Sequence, residues 1–128
     1  MIIADSDVLI DGLRGNGESV KRVAVEIERG SLATTVISVF ELLAGAKTDQ
    51  EREKVERLLG ALAILPLDDG AAREAAQVRH ELGRLGRTIG TADLLIAGIC
   101  IAHSGILLTR NRAHFDGIPR LTLGELHA

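Results

Sequence analysis

The sequence is poor in cysteine and in aromatic residues. Its 128 residues include one cysteine, two phenylalanines and no tyrosine or tryptophan. A single thiol, Cys100, cannot form an intrachain disulfide, which excludes a disulfide-stapled fold and favours a reducing cytoplasmic location. Because aromatic side chains are nearly absent, Leu, Ile, Val and Ala must fill the core.

Strong net charge and long apolar runs are also missing. The net charge is −3 and the pI is about 5.8, so overall charge does not indicate nucleic-acid binding, although a local patch remains open. No apolar run reaches the roughly 18 residues of a membrane-spanning helix, and the N-terminal run breaks at Asp5, too early for a signal peptide. We therefore expect one domain over residues 1–128 with no membrane partner.

Short apolar runs alternate with helical patterns along the chain. The predicted strands, of which the last is the weakest, lie at residues 1–4, 32–36, 63–65, 106–109 and 121–123. Helical patterns lie between them at residues 8–14, 18–29, 38–46, 49–62, 71–85 and 91–102. This alternation predicts an α/β fold whose central parallel sheet has about four to five strands. Because the strands are continuous apolar runs, helices should cover both faces of the sheet.

The helix predicted at 91–102 is apolar on nearly every side and should lie at the centre of the fold. Thr91 is its expected N-cap, and Asp93 is its only charged residue. A carboxylate in the first turn is stabilised by the helix dipole, which explains Asp93 without any function. Cys100, on the same helix, is expected to be an inert buried thiol.

Three acidic residues follow or begin predicted elements at one edge of the sheet. Asp5 ends the first strand, Glu41 lies in the first turn of the helix after the second strand, and Asp93 opens the central helix. Ligands of open α/β sheets bind at the carboxyl ends of the strands. If the three carboxylates converge there, they form a hard oxygen site suited to Mg²⁺ or Mn²⁺.

Each acid also has a purely structural explanation. Ser38-x-x-Glu41 matches a capping box, and Asp5 or Asp7 can cap the following helix. Asp68 and its neighbour similarly match a cap for the helix at 71–85. The histidines lack metal-ligand spacing and are expected to have surface or structural roles; they are His80, His103, His114 and His127.

Four segments, in order and at the family's spacing, make the sequence resemble a PIN domain, specifically the small VapC-type ribonuclease toxins of toxin–antitoxin pairs. They are IIADSDVLI (2–10), ISVFELLAG (37–45), IGTADLLIA (89–97) and LLTRNRAHF (107–115). The resemblance implies a PIN-like three-layer sandwich. It also implies that Asp5, Glu41 and Asp93 are catalytic and bind Mg²⁺ or Mn²⁺ for RNA hydrolysis. A cognate antitoxin and a homodimer are the implied protein partners.

The chain departs from the family pattern at two places. Ser6 and Asp7 stand where relatives usually have Thr-Asn, and Asn111 stands where many have a fourth acid. A neutral Asn is a weaker ligand, so the resemblance leaves one or two metals open. Further candidate site residues are Ser6, Asp7, Thr109, Asn111 and Asp116, of which the last is a substitute for the missing acid. Arg110 and Arg112 are candidate contacts to RNA phosphates, or solvated loop cations.

Three other functions remain open from the sequence. A phosphotransfer receiver domain has similar size and architecture and would use Asp68 after the third strand, but it needs a late lysine. The only lysines are Lys21, Lys47 and Lys54. A phosphatase of the haloacid-dehalogenase type would use Asp5-x-Asp7 and also needs a late lysine. The third alternative is a catalytically inactive PIN-like binding module.

Overall fold

The predicted strands form one parallel sheet. The computed structural model describes residues 1–127, so Ala128, the last residue of the expected domain, lies outside the described part. The strands are β1 (Ile2–Ala4), β2 (Leu32–Thr35), β3 (Ala63–Leu65), β4 (Ile106–Leu108) and β5 (Thr122–Leu123). Their order across the sheet is β3-β2-β1-β4-β5, and every pair is parallel. The carboxyl ends of β1 and β4 are therefore direct neighbours.

Helices cover both faces of this sheet, as predicted. They are α1 (Ser6–Arg14), α2 (Val20–Glu28), α3 (Val36–Gly45), α4 (Asp49–Leu59), α5 (Asp69–Arg84), α6 (Thr91–Ala102) and α7 (Arg112–Phe115). Ile3 packs in a core cluster with α5, α6 and α7, whereas Ala4 packs in a second cluster with α1 to α4. Successive strand residues point to opposite faces, so these clusters lie on the two sides of the sheet and the α/β three-layer architecture is confirmed.

Helix α6 is the buried central helix that the sequence predicts. It packs so closely on α5 that a Cβ at Gly98 would lie 2.4 Å from the carbonyl oxygen of Ala71 and 2.7 Å from the Cβ of Ala75. Any larger residue at this position would therefore separate the two helices. Cys100 is fully buried, and burial raises the pKa of its thiol to about 12, which confirms an unreactive core cysteine.

Several helices begin earlier than their apolar patterns indicate because the cap residues lie further upstream. Helix α1 begins at Ser6 rather than at residue 8, with Asp5 as its N-cap. Helix α5 begins at Asp69 rather than at residue 71, and the carboxylate of Asp68 accepts a hydrogen bond from the Ala71 amide at 2.9 Å. The predicted capping role of Asp68 is thus confirmed.

Two predicted caps are wrong. Helix α3 begins at Val36, and its cap is Thr35, whose hydroxyl accepts a hydrogen bond from the Ser38 amide at 3.1 Å. Ser38 is therefore inside the helix and cannot cap it. Helix α6 has Gly90 at its N-cap, which places Thr91 in the first turn rather than at the cap.

The two outer strands are exceptions to burial on both faces, since Ala63 and Ile64 of β3 and Thr122 of β5 are exposed at the sheet edges. Within residues 1–127, no helix has the length and apolar character needed to cross a membrane.

Candidate active site

Asp5 lies at the base of the site, where β1 ends and α1 begins. It is 4% exposed, and its Oδ1 accepts a hydrogen bond from the Ser6 amide at 2.8 Å. Its Oδ2 accepts one from the hydroxyl of Thr109, also at 2.8 Å. Thr109 directly follows β4, the strand next to β1, and is itself fully buried. Asp5 is thus both a helix cap and a buried carboxylate at the carboxyl edge of the sheet.

Asp7 is the second residue of α1 and contacts the loop between β4 and α7, which also carries Thr109. Its Oδ2 accepts a hydrogen bond from the Arg110 amide at 3.0 Å and lies 3.4 Å from the Thr109 hydroxyl. Its Oδ1 is buried and has no hydrogen-bond partner among the described residues. A buried carboxylate oxygen without a donor is costly unless a cation or water supplies the missing interaction.

Glu41 faces α1 and does not close a capping box. Its Oε1 accepts a hydrogen bond from the Ser6 hydroxyl at 3.2 Å, and the Ser38 amide is occupied by Thr35. Because α3 begins at Val36, Glu41 lies in the second turn rather than in the predicted first turn. The capping explanation for Glu41 is therefore wrong. The Glu41 carboxylate is directed toward the N-terminus of α1, where Asp5 is the cap and Asp7 is the second residue.

Asp93, in the first turn of α6, is paired with a histidine that the sequence pattern does not assign to the site. Its Oδ2 lies 3.0 Å from Nδ1 of His114 on α7. The Asp93 side chain is 22% exposed and that of His114 is 56% exposed, so the pair lies at the mouth of the site. Only the position of His114 in the fourth family-like segment could have indicated this contact.

The charges of these carboxylates act on one another. The pKa of Asp5 is raised to about 6, mainly by burial and also by the nearby charges of Asp7 and Glu41, whereas the hydrogen bonds from Thr109 and Ser6 act in the opposite direction. Burial also raises the pKa of Glu41, to which the charges of Asp93 and Asp7 add. The pKa of Asp7 is raised by burial as well. The carboxylates therefore lie near enough to influence one another's charge, whereas the joint metal site of Asp5, Glu41 and Asp93 stays a prediction.

Comparison with known proteins identifies the family. Residues 2–121 match the family model described as PIN domain. The chain belongs to the PIN-domain family. It is 36% identical over 121 residues to Ribonuclease VapC10 of Mycobacterium tuberculosis, covering 94% of this chain and 90% of that protein. It is 28% identical to the tRNA(fMet)-specific endonuclease VapC of Shigella flexneri, covering 91% of each. The resemblance to VapC-type ribonucleases is confirmed.

The fold is also that of solved members of the PIN-domain family. The structure is similar to a chain of VapBC2 from Rickettsia felis, solved bound to a DNA fragment from its promoter. The TM-score is 0.86 at 27% identity, and the similarity covers 97% of this chain and 98% of the other. A second similar chain comes from DNA-bound VapBC of Salmonella typhimurium, with a TM-score of 0.84 at 25% identity. The similarity covers 98% of this chain and 97% of the other.

The donor set of this PIN domain fits a hard divalent cation in its chemistry. The acidic groups are all carboxylates, and the pKa values of Asp5 and Glu41 are raised mainly by burial and also by neighbouring acids. Asp7 Oδ1 has no hydrogen-bond donor among the described residues. Within residues 1–127, no three acidic, His or Cys side chains are gathered as a ready set of ligands. The Glu41 carboxylate is instead hydrogen-bonded to Ser6, and that of Asp93 lies against His114.

The other candidate residues occupy different positions around the site. Ser6 contacts Glu41, and Thr109 bonds Asp5, so both belong to the carboxylate cluster. The backbone amide of Asn111 donates a hydrogen bond to the Thr109 hydroxyl at 3.1 Å. The Asn111 side chain makes no capping hydrogen bond to α7. The carbonyl of Asp116 accepts a hydrogen bond from Arg87 at 2.7 Å, but none of the hydrogen bonds or ion pairs within residues 1–127 links its carboxylate to the other acids.

Each of the two loop arginines contacts another part of the chain. Nε of Arg110 lies 3.0 Å from Oδ2 of the buried Asp11, and Nη1 of Arg112 donates to the Gly124 carbonyl at 2.8 Å. Both side chains are also exposed, so a solvated loop cation and a contact to an RNA phosphate both stay predictions for these residues. The sequence pattern gives Asp11 no role beyond its place in a predicted helix. In the structure, its ion pair with Arg110 places it beside the site.

Replacing Thr109 by Val tests the hydrogen bonds that hold Asp5. Val has nearly the same shape but no hydroxyl, so the ionised Asp5 carboxylate loses a donor in a buried position. We expect a loss of about 1.5–3 kcal/mol in the free energy of unfolding at pH 8 in chelator, the range for hydrogen bonds to charged groups. Urea titration measures this, with Thr109→Ser as the hydroxyl-retaining control. Equal stability of Val and Ser variants would contradict the assigned hydrogen bond.

Proposed function

We propose that this PIN-domain protein is a metal-dependent endoribonuclease, the toxin of a toxin–antitoxin pair, in which Asp5, Glu41 and Asp93 hold Mg²⁺ or Mn²⁺. The observation that carries the proposal is the buried Asp5 carboxylate, which Ser6 and Thr109 hold at the carboxyl edge of the sheet, beside an Asp7 Oδ1 that has no hydrogen-bond partner among the described residues. Relatives that carry the names ribonuclease and endonuclease support RNA as the substrate and hydrolysis of its phosphodiester bonds as the reaction.

The protein's own side chains fix the carboxylates in distinct ways. Asp5 is held by donors from both α1 and the β4–α7 loop, so it cannot turn away from the site. Glu41 and Asp93 approach from α3 and α6, each held by a single side chain. A divalent cation held by these carboxylates would lower the pKa of its bound water and would stabilise negative charge on the attacked phosphate. Burial of Asp5 strengthens the electrostatic attraction for that cation.

Several expectations about partners and location belong to the same proposal. Similar solved structures are VapBC toxin–antitoxin complexes, which supports an antitoxin as the protein partner of this chain. We also propose that residues 1–128 act as one nuclease unit, that two copies form a homodimer, and that the protein works in a reducing cytoplasm.

The receiver-domain alternative conflicts with the sheet topology. Asp68 follows β3 at the outer edge of the sheet, and β2 separates that strand from β1 and Asp5. Asp68 is also engaged as the cap of α5. An acid pair between the ends of the first and third strands is therefore absent from the described residues. The phosphatase and inactive-module alternatives lack a specific supporting observation of this kind.

Chelation tests the metal requirement directly. We expect cleavage of a mixed pool of RNA oligonucleotides with Mg²⁺ or Mn²⁺ and its complete loss in excess EDTA, because the proposed reaction relies on the cation to activate water and to stabilise charge on the phosphate. The same preparation of an Asp5→Asn variant controls for contaminating ribonucleases. Cleavage by the parent that persists undiminished in EDTA would overturn the metal-dependent mechanism, and separate addition of each metal distinguishes Mg²⁺ from Mn²⁺.

A further inference from the structure

The proposed reaction leaves a buried carboxylate close to the site without a role. Asp11 lies one helical turn after Asp7 on α1, at the i+4 spacing that places both on the same helix face. It is only 6% exposed, although aspartate is rarely buried without a charged partner. Its partner is Arg110, whose Nε lies 3.0 Å from Asp11 Oδ2.

The loop after α1 fixes the other side of this carboxylate. A Cβ at Gly17 would lie 2.8 Å from Asp11 Oδ2, so the backbone of the loop packs directly on the carboxyl group. Gly17 has a φ of +107°, a conformation that favours glycine. The amide of Asn16 also donates to the Asp11 carbonyl at 3.2 Å. The Asp11 carboxylate is therefore enclosed by its surroundings where it accepts the contact from Arg110, and it is not an exposed surface side chain.

Arg110 is bonded to α1 at two points, one turn apart. Its side chain meets Asp11, and its amide donates to Asp7 Oδ2 at 3.0 Å. The preceding residue, Thr109, donates to Asp5, and the following residue, Asn111, donates its amide to the Thr109 hydroxyl. Thr109 and Arg110 are thus bound to acids of α1 and of its cap, and Asn111 is joined to them through Thr109.

We propose that Asp11 is a positioning residue, which acts through the Arg110 side chain to hold segment 109–111 against α1. The segment's Thr109 hydroxyl and Arg110 amide are thereby kept on the carboxylates of Asp5 and Asp7. This inference rests on the proposed function, and it assigns Arg110 to the orientation of the acids rather than to a phosphate of the RNA. Removal of Arg110 leaves the buried Asp11 without its charged partner, which also affects stability, so the positioning role is tested by the kcat of variants that are shown to fold.

Steady-state kinetics of Asp11→Ala, Arg110→Ala and the double variant test the proposal. We expect each change to lower kcat by about 10- to 100-fold, the range for partners that orient metal-binding residues, with KM and its salt dependence unchanged. Because the two residues act as one unit, the double variant should be no slower than the slower single variant. Asp11→Asn keeps the shape and an acceptor oxygen, so it should lose less activity and guards against misfolding of the Ala variant.

The exposed pair Asp69–Arg73 provides a matched control. It joins the same two atom types, Arg Nε and Asp Oδ2, at 2.7 Å, with both side chains at least 80% exposed on α5. Its Ala variants should retain the parent's kcat. If the Asp11–Arg110 pair only stabilised the fold, folded variants would keep the parent's kcat at saturating metal. Thermal melts show whether each variant is folded.

Two results would overturn the assignment. Additive effects, with Arg110→Ala alone raising KM and flattening the salt dependence, would make Arg110 a phosphate contact. Unchanged kcat in the Asp11 variants would leave the pair without catalytic importance. Hydrogen exchange at the Arg110 amide separates this test from that of the proposed function, because it requires no activity. We expect faster exchange in Asp11→Asn than in the parent; equal rates would show that Asp11 does not hold the segment, even if the parent cleaves no RNA.

Discussion

Glu41→Gln is expected to lower kcat for RNA cleavage by about 100-fold or more, at or above the upper end of the range for outer-shell partners of a metal. The change removes one negative charge and preserves the length of the side chain. Gln retains an oxygen that can accept the Ser6 hydroxyl, so the contact between α3 and α1 should survive. The activity loss would therefore arise from the missing charge at the metal-binding edge, and not from displacement of the helix.

Stability should respond differently from activity in this variant. Burial and the charges of Asp93 and Asp7 raise the pKa of Glu41, which means that its ionised form is disfavoured in the metal-free fold. Neutral Gln should consequently be tolerated, with a melting temperature close to the parent's in EDTA. Kinetics at saturating Mg²⁺ and paired melts measure both effects, with Glu53→Gln on the exposed surface of α4 as control. Near-normal turnover of Glu41→Gln would remove Glu41 from the proposed metal site.

Asp5→Asn should abolish cleavage and yet stabilise the metal-free protein at neutral and higher pH. The pKa of Asp5 is raised from 3.8 to about 6, chiefly by burial. Below pH 3.8 the carboxyl is protonated in both states, so this group imposes no penalty on folding. As the pH rises toward 6 the unfolded chain loses its proton first, and the free energy of unfolding decreases. Above pH 6 the penalty is complete, at about 3 kcal/mol for a shift of this size.

Asn avoids the penalty because it carries no charge at any of these pH values. Its oxygen can still accept from the Ser6 amide or from the Thr109 hydroxyl, so the cap of α1 is largely preserved. Urea unfolding in EDTA should show Asp5→Asn more stable than the parent at about pH 8, and the difference should shrink toward about pH 4. Excess Mg²⁺ should stabilise the parent more than the variant.

The opposite pattern would contradict the electrostatic account of the site. If Asp5→Asn is less stable than the parent at pH 8 in EDTA, its carboxylate is a net stabilising helix cap. If the difference between the two proteins does not vary with pH, the raised pKa of Asp5 is wrong. Asp69→Asn, which changes an exposed aspartate in the first turn of α5, controls for a general effect of removing one charge.

The order of strands and helices is readable from the sequence because its signals are local. Continuous apolar runs of three residues mark β1 and β4, and the run at 91–102 marks a helix buried on nearly all sides. The same local patterns place Asp5 and Asp93 at element ends, from which their convergence at the carboxyl edge follows. Helix starts are less well determined, since Thr35 and Ser38 are both chemically able to cap and only the end of β2 decides between them.

The contacts that orient the acids depend instead on the tertiary structure. Thr109 bonds Asp5 across 104 positions of sequence, Ser6 bonds Glu41 across 35, and His114 meets Asp93 across 21. The first contact exists because β4 pairs beside β1, a choice that the apolar pattern of either strand leaves open. The sequence by itself therefore determined the fold class and which carboxylates reach the sheet edge. The packing of helices and strands decided which donor holds each one, because a hydrogen bond depends on positions in space that residues far apart acquire only on folding.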